Sequence, residues 1–213
     1  LALDDELLDG LAVPPGQHDH PPDPAGQHEG GGQEDPQAYP RETADQMLGK
    51  LRSHRAELDA DPSLIYGMVQ EIVLPRFDFE LISRYVLGRY WRQASAVQQQ
   101  AFIEGFRSLL VRTYAHALLN YSDQDIRYLA VRPDKEGDRV MVPTQVAAAG
   151  APAIPIDYKL YRDGGGDWKV YDVVIDGISL VSTYRSNFNS QIGRVCIDGV
   201  IESMQQRAEG TTP

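Results

Sequence analysis

The residue pair that most invites a chemical role is Asp172 beside Tyr171, in a stretch that alternates like a β-strand. A carboxylate base next to a phenol donor can abstract and return a proton, as ketosteroid isomerases do. Strict alternation, however, points the two side chains to opposite faces of the strand. The acid–base role therefore requires Asp172 to lie inside a pocket, and a polar residue on the outer or hydrogen-bonded sheet face is the alternative interpretation.

The remaining candidates for chemistry are isolated. Cys196, the single cysteine, has Arg194 nearby, but its apolar neighbours favour ordinary packing over nucleophilic catalysis. One thiol also excludes an internal disulfide and a multi-cysteine metal site. The triplet Gly164–Gly166 precedes a strand and lacks the Lys-Ser/Thr of a phosphate-binding loop, so it predicts a turn. His54 and His116 fall on different predicted helices without further ligands nearby. We therefore expect no catalytic residue, no metal site and no cofactor.

The charge of the chain is distributed unevenly. The 213 residues carry a formal net charge of −11, but residues 1–40 hold nine carboxylates and neither Lys nor Arg, so residues 41–213 are nearly neutral. Without a basic excess, nucleic-acid binding is excluded. No apolar run is long enough for a transmembrane helix. The segment Leu1–Asp5 lacks the charged and apolar regions of a signal peptide, so a cytosolic chain and a mature exported chain both fit.

Residues 1–40 are predicted to be a disordered acidic tail rich in proline and glycine. Four leucines have helical spacing and could form a docking helix, although isolated helices this short are marginal in water. Three histidines could bind a metal only weakly, because no scaffold orients them. The leucines are Leu3, Leu7, Leu8 and Leu11, and the histidines are His18, His20 and His28. Residues 41–207 are then one domain, and residues 208–213 a disordered C-terminus.

The body is predicted to be helical first and extended later. Helices are indicated from an N-cap at Thr43 to about Asp59, from Asp61-Pro62 to Pro75, from Phe79 to Tyr90, and from a capping box at Ser95 to Leu119. Strands are predicted over 125–132, 140–146, 156–160 and 168–175, and helices again over 178–192 and 197–207. This order predicts an α+β fold whose helices cover an antiparallel sheet, and a curved sheet could enclose an apolar pocket.

Seven segments of the body share their residues and their order with one known family. They are Phe77–Glu80, Val86–Ala94, Gln99–Phe106, Leu109–Tyr114, Trp168–Val181, Tyr184–Phe188 and Ile197–Ile201. Together they span about residues 41–207 and resemble the MlaC family of periplasmic phospholipid-binding proteins, also known as toluene-tolerance proteins. Each segment alone is a weak signal, but several in the right order make the resemblance specific.

The resemblance implies a carrier that holds phospholipid acyl chains in a deep apolar pocket, in a fold related to the NTF2-like cone. It implies exchange of lipid with an outer-membrane lipoprotein complex and with an inner-membrane ABC transporter of the Mla pathway, which maintains the lipid asymmetry of the outer membrane. The implied location is the periplasm, with a signal peptide already removed. The family offers no catalytic residues to carry over. The acidic tail is longer than the resemblance leads us to expect.

Periodicity gives candidates for the pocket lining, each of which could equally be plain core. From the helices they are Phe79, Ile82, Phe102, Phe106, Leu109 and Tyr114, and from the sheet Val142, Val146, Tyr158, Leu160, Tyr171, Val173 and Ile175. Tyr184 and Arg185 are candidates for contacts at the rim. Two other functions stay open besides lipid carriage: an NTF2-like enzyme that uses Asp172, and a lipid-independent adaptor that docks through its surface or tail.

Overall fold

The computed structural model describes residues 35–119, 125–135, 137–147 and 152–209. Within these ranges six α-helices occur in two groups, separated along the chain by the strands. They are α1 (Ala38–Ser53), α2 (Arg55–Ala60), α3 (Leu64–Met68), α4 (Phe79–Leu87), α5 (Ala96–Leu119) and α6 (Leu180–Glu209). A π-helical turn (Val69–Val73) and a 3₁₀ turn (Leu74–Arg76) continue α3, and a second 3₁₀ turn (Gly88–Arg92) follows α4. Residues 1–34 of the predicted tail, with its leucines and histidines, and residues 210–213 lie outside the described ranges.

Helix boundaries follow the local caps, and one predicted cap is wrong. Thr43 does not begin α1, because its hydroxyl donates to the carbonyl oxygen of Tyr39, 2.8 Å away and one turn back within the helix. The predicted first helix is also broken at His54, where φ is −112° and ψ is 22°. The capping box is confirmed: the Ser95 N–H donates to Gln98 Oε1 at 2.9 Å, and the Gln98 N–H donates to Ser95 Oγ at 3.2 Å.

The described strands form one antiparallel sheet in the order β1-β3-β4-β5-β6, with β2 also paired to β3. They are β1 (Asp125–Tyr128), β2 (Arg132–Pro133), β3 (Arg139–Ala147), β4 (Ile154–Arg162), β5 (Trp168–Ile175) and β6 (Ile178–Ser179). The predicted α+β architecture with an antiparallel meander is confirmed. The start of the last helix is corrected: Gly177, at φ 78°, turns the chain back so that Ile178 pairs with Ile175 as a strand.

A register shift between β4 and β5 changes which side chains share a face of the sheet. Leu160 pairs with Val170, whereas Tyr158 pairs with Val173, which leaves Tyr171 as the extra residue of β5. The Tyr171 ring lies 6.0 Å from the ring of an α4 tyrosine. Plain alternation along β5 predicts that Tyr171 shares a face with Val173, and this prediction is wrong because the irregularity breaks the alternation.

Most of the buried apolar side chains that the structure describes belong to three clusters. Cluster 1 joins α4, α5 and α6, and comprises Ile82, Val86, Leu87, Phe102, Phe106, Tyr184, Phe188, Ile192, Val200, Ile201 and Met204. Cluster 2 joins the first three helices and the π turn to α5, and comprises Met47, Leu51, Leu58, Ile65, Met68, Val69, Ile72, Val111 and Ala115. Cluster 3 lies on the sheet, and comprises Val140, Val142, Leu160, Trp168 and Val170.

Candidate functional site

An apolar cavity of about 200 Å³ lies between α1 and one face of the sheet. α1 lines it with Tyr39, Pro40, Thr43, Ala44, Met47, Leu48 and Leu51. The sheet lines it with Ile126, Val146, Ile156, Tyr158 and Val170, and the remaining wall is Val73, Arg76, Phe77 and Leu118. Among these described residues Arg76 alone carries a charge. The cavity therefore suits an apolar ligand.

Strand register explains why the sheet wall is apolar. Ile126 of β1 lies opposite Val146 of β3, and Thr144 of β3 lies opposite Ile156 of β4. Since side chains two residues apart share a face, Ile156 and Tyr158 project to the same side. The buried Thr144 hydroxyl donates to the Ile156 carbonyl oxygen at 2.7 Å, so this polar group within the apolar wall is satisfied.

The start of α1 is attached to the sheet by polar and aromatic contacts. The Gln37 side-chain amide donates to the carbonyl oxygen of Leu129, and the Arg41 guanidinium lies 4.8 Å from the centroid of the Tyr128 ring. Burial, reinforced by the negative charge of Asp45, raises the pKa of Tyr128 to about 12. These contacts fix one end of α1, whereas its next turns face the cavity with apolar side chains.

Arg76 occupies a distinct position in the wall. It ends the 3₁₀ turn after the π turn, is half-buried, and follows Pro75, which is exposed. Its guanidinium carbon lies 4.6 Å from the centroid of the Tyr39 ring, and Tyr39 also lines the cavity. The Tyr39–Arg76 pair therefore places a cation at the end of the apolar cavity that approaches solvent. We call this end the mouth.

The predicted lining residues are distributed over the cavity and the three clusters. Val146 and Tyr158 line the cavity. Ile82, Phe102 and Phe106 lie in cluster 1, with Leu109, Tyr114 and Tyr171 packed against it. Val142 and Leu160 lie in cluster 3, with Val173 packed against it. Phe79 is buried beneath the Arg107 guanidinium, and Ile175 is half-buried at the end of β5. Their role as ligand contacts stays a prediction.

The two predicted rim residues lie among the helices. Tyr184 is buried in cluster 1, with its ring centroid 5.0 Å from that of Phe106 and 6.0 Å from that of Phe188. Arg185 is exposed, and its guanidinium lies over Gly88, where an added Cβ would come within 3.2 Å of it. Neither residue lines the cavity beside α1.

Sequence reasoning missed the α1 wall and Arg76. Met47, Leu48 and Leu51 follow a helical apolar period, which by itself predicts only a buried stripe on the first helix. Thr43 and Ala44 lie one turn earlier on the same side of the helix, where small side chains leave space beside the sheet. Small residues continuing an apolar stripe were the signal that could have found this wall.

Asp172 lies on the opposite sheet face, away from Tyr158. Its Oδ2 lies 2.8 Å from the Lys159 ammonium and accepts a hydrogen bond from the Ser179 hydroxyl at 2.8 Å. Its Oδ1 accepts from the Val181 N–H at 3.2 Å, in the first turn of α6. The carboxylate thus joins β4, β5 and α6, and it does not line the cavity that an Asp172 base would require.

The other chemical candidates have structural surroundings. The predicted turn at Gly164–Gly166 is confirmed, with the N–H groups of Gly165 and Asp167 donating to Asp163 Oδ1. Cys196 is exposed and lies at a kink that divides α6 into two helical segments, since its φ of 58° and ψ of 178° are not helical. Nowhere in the described ranges do His, Cys, Asp and Glu gather in a group that could hold a metal ion. None of the helices described is both long and apolar enough to cross a membrane.

Comparisons with known proteins cover most of the chain. The family model described as MlaC protein matches residues 41–206. The chain is 29% identical over 175 residues to the intermembrane phospholipid transport system binding protein MlaC of Haemophilus influenzae, covering 81% of this chain and 82% of that protein. It is 30% identical over 153 residues to the toluene tolerance protein ttg2D of Pseudomonas putida, covering 71% of this chain and 70% of that protein.

A solved structure is similar over the same region. It is a phospholipid-binding protein from Ralstonia solanacearum, in complex with a phospholipid. Its sequence is 32% identical to this chain and its TM-score is 0.75, with 83% of this chain and 98% of that chain covered.

Proposed function

The chain belongs to the MlaC family, and from that membership we propose that it is a periplasmic carrier that shuttles phospholipid between the inner and outer membranes. The observation that carries the proposal is the apolar cavity between α1 and the sheet. It occurs in a chain that is 32% identical to a protein solved with a phospholipid. No catalytic group is needed for this activity.

The energetics of acyl-chain burial fit a carrier. Each buried methylene contributes about 0.8 kcal/mol, so a chain of roughly 16 carbons gains on the order of 10 kcal/mol on leaving water. An unaided lipid therefore crosses an aqueous space too slowly. A membrane buries the same methylenes nearly as well as a protein cavity, so transfer between the two lies near balance. The carrier can then both load and unload.

Loading requires the cavity to widen. Its volume of about 200 Å³ lies below the roughly 300–1,000 Å³ of common ligand pockets. The side chains between α1 and the sheet are mostly aliphatic, so they can separate without breaking ion pairs. We propose that α1 moves away from the sheet as the acyl chains enter, while cluster 1 on the other side of the fold stays packed.

Direction must come from partners, because a cavity with balanced transfer cannot supply it. We propose an inner-membrane ABC transporter complex of the Mla pathway and an outer-membrane lipoprotein complex as these partners. The name of the Haemophilus influenzae relative, an intermembrane phospholipid transport system binding protein, supports this assignment. The corresponding role is maintenance of outer-membrane lipid asymmetry.

Lipid extraction from the purified chain tests the proposal. The chain is produced in the periplasm of a diderm bacterium, and its bound lipids are measured by native mass spectrometry and after solvent extraction. We expect nearly every folded molecule to carry bound phospholipid. This bound lipid should exchange with labelled phospholipid from liposomes. Protein that is lipid-free after purification, and remains so after incubation with liposomes, would contradict the proposal.

A further inference from the structure

The guanidinium of Arg76 has no charged or hydrogen-bonding partner among the described residues. Its recorded contact is the face of the Tyr39 ring, 4.6 Å from the guanidinium carbon. The ion pairs of the described residues involve other groups, namely Lys50–Glu71, Arg55–Asp59 and Lys159–Asp172. No carboxylate lines the cavity that could neutralise Arg76. Among the residues that the structure describes, this half-buried cation beside an apolar cavity thus has no counter-charge.

The contact with Tyr39 leaves donors of Arg76 available. A guanidinium carries five N–H donors, and a single aromatic ring 4.6 Å from its carbon cannot occupy all of them. Tyr39 can therefore hold Arg76 in position while its N–H groups stay free for an anion. Two oxygens of a phosphate match two of these donors in a bidentate pair.

We propose that Arg76 binds the phosphate group of the phospholipid at the cavity mouth, with Tyr39 as its positioning residue. This inference rests on the proposed lipid-carrier function and adds a polar anchor to it. The acyl chains enter the apolar space lined by α1 and the sheet, and the phosphate stays at the half-buried end beside Arg76. The carrier then selects lipids that have a phosphate over lipids with the same acyl chains that lack one.

A competition between matched lipids measures this selection. The full chain is incubated with phosphatidylcholine vesicles that contain diacylglycerol with identical acyl chains. Protein is then separated from vesicles, and the ratio of the two bound lipids is compared with their ratio in the vesicles. We expect about tenfold enrichment of the phospholipid on the wild-type chain, since a hydrogen-bonded contact to a charged group has roughly that effect. Arg76→Gln should bring the ratio close to that of the vesicles, with diacylglycerol binding retained.

Arg41→Gln is the matched control. Arg41 also stacks on a tyrosine, with its guanidinium carbon 4.8 Å from the Tyr128 ring, but it does not line the cavity. Its replacement should leave the enrichment unchanged. Arg76→Lys keeps the charge without the planar fork and should give intermediate enrichment, which keeps the test valid if Arg76→Gln fails to fold.

The outcomes separate this inference from the proposed function. A wild-type chain that binds both lipids without enrichment, or an Arg76→Gln chain that keeps the enrichment, overturns the role of Arg76 and leaves the carrier function standing. A wild-type chain that binds neither lipid overturns both. Calorimetric titration of the lipid-free chain with inorganic phosphate distinguishes the source of the anion. Saturable phosphate binding that Arg76→Gln abolishes, in a chain that shows no enrichment of phospholipid over diacylglycerol, would assign the site to free phosphate instead of lipid.

Discussion

The Nζ atom of Lys159 lies 2.8 Å from Oδ2 of Asp172, on the sheet face turned away from the cavity. Asp172 is 6% exposed and Lys159 30% exposed, so the pair is largely removed from water. Asp172→Asn would leave the ammonium without its counter-charge and weaken the cap at Val181. We expect a loss of about 1–3 kcal/mol in the free energy of unfolding, measured by urea denaturation.

Lys50→Gln provides the comparison for that loss. The Lys50–Glu71 pair has the same 2.8 Å separation, but its side chains are 38% and 66% exposed, so its removal should cost less than about 1 kcal/mol. Phospholipid bound per folded molecule should be unchanged in both variants. If a stably folded Asp172→Asn chain no longer bound lipid, Asp172 would have to take part in the lipid site.

Ala44→Trp tests whether the space beside α1 holds the acyl chains. Ala44 is half-buried and lines the cavity, so a large side chain there occupies the volume that lipid would use. Excluding only two methylenes lowers affinity by about tenfold. We expect at least that reduction in bound phospholipid, measured by mass spectrometry on folded protein.

Phe102→Ala is the matched change in cluster 1. Phe102 is fully buried, with its ring 5.3 Å from that of Phe188, and its truncation should cost about 3–5 kcal/mol of stability. Phospholipid bound per folded molecule should stay constant. The reverse pattern, with lipid lost at Phe102 and kept at Ala44, would move the acyl-chain site to the helical side of the molecule.

Cys196→Gly should stabilise the protein. Cys196 interrupts α6 with φ at 58° and ψ at 178°, a backbone conformation that glycine adopts easily and other residues adopt at a cost of about 1–3 kcal/mol. We expect the free energy of unfolding to rise by about 1 kcal/mol. Ser190→Gly, at an exposed position in the same helix, should instead lower it by roughly 0.5–1 kcal/mol. Equal losses in the two variants would show that α6 continues without interruption through Cys196.

Alkaline pH should destabilise the protein partly through Tyr128. Burial and the charge of Asp45 raise the pKa of Tyr128 to about 12, against 10 for an ordinary tyrosine. Between pH 10 and 12 the unfolded chain loses this proton while the folded chain keeps it. Stability therefore falls as pH rises through that window. Tyr128→Phe removes this contribution, so urea midpoints at pH 9 and pH 11 should differ less than in the wild-type chain. An identical difference in the two proteins would contradict the shifted pKa.

Features set by neighbours in the chain were predictable from the sequence. The Ser95–Gln98 capping box, the turn at Gly164–Gly166 and the order of helices and strands depend on local hydrogen bonds and side-chain periodicity. Family-specific segments added the phospholipid expectation, which composition alone did not contain.

Features set by tertiary contacts were not predictable in the same way. The irregularity at Tyr171 depends on how β5 registers with β4, which no single-strand pattern reveals. The α1 wall depends on which helix lies against the sheet, and amphipathic periodicity marks every helix alike. Arg76 is distinguished by the lack of a counter-charge among its described neighbours, and these neighbours are known only from the folded structure.

The position of the cavity on one side of the sheet also separates two surfaces of the molecule. If α1 moves away from the sheet on loading, as proposed above, cluster 1 and the Lys159–Asp172 pair lie outside the part of the fold that moves. A receptor that touches only α4 or α6 would therefore meet the same surface on full and empty carriers. A receptor that binds the exposed side of α1, at Arg41, Glu42 or Asp45, would bind differently when lipid fills the cavity and when the cavity is empty. The exposed side of α1 is therefore the surface through which a receptor could distinguish full from empty carriers.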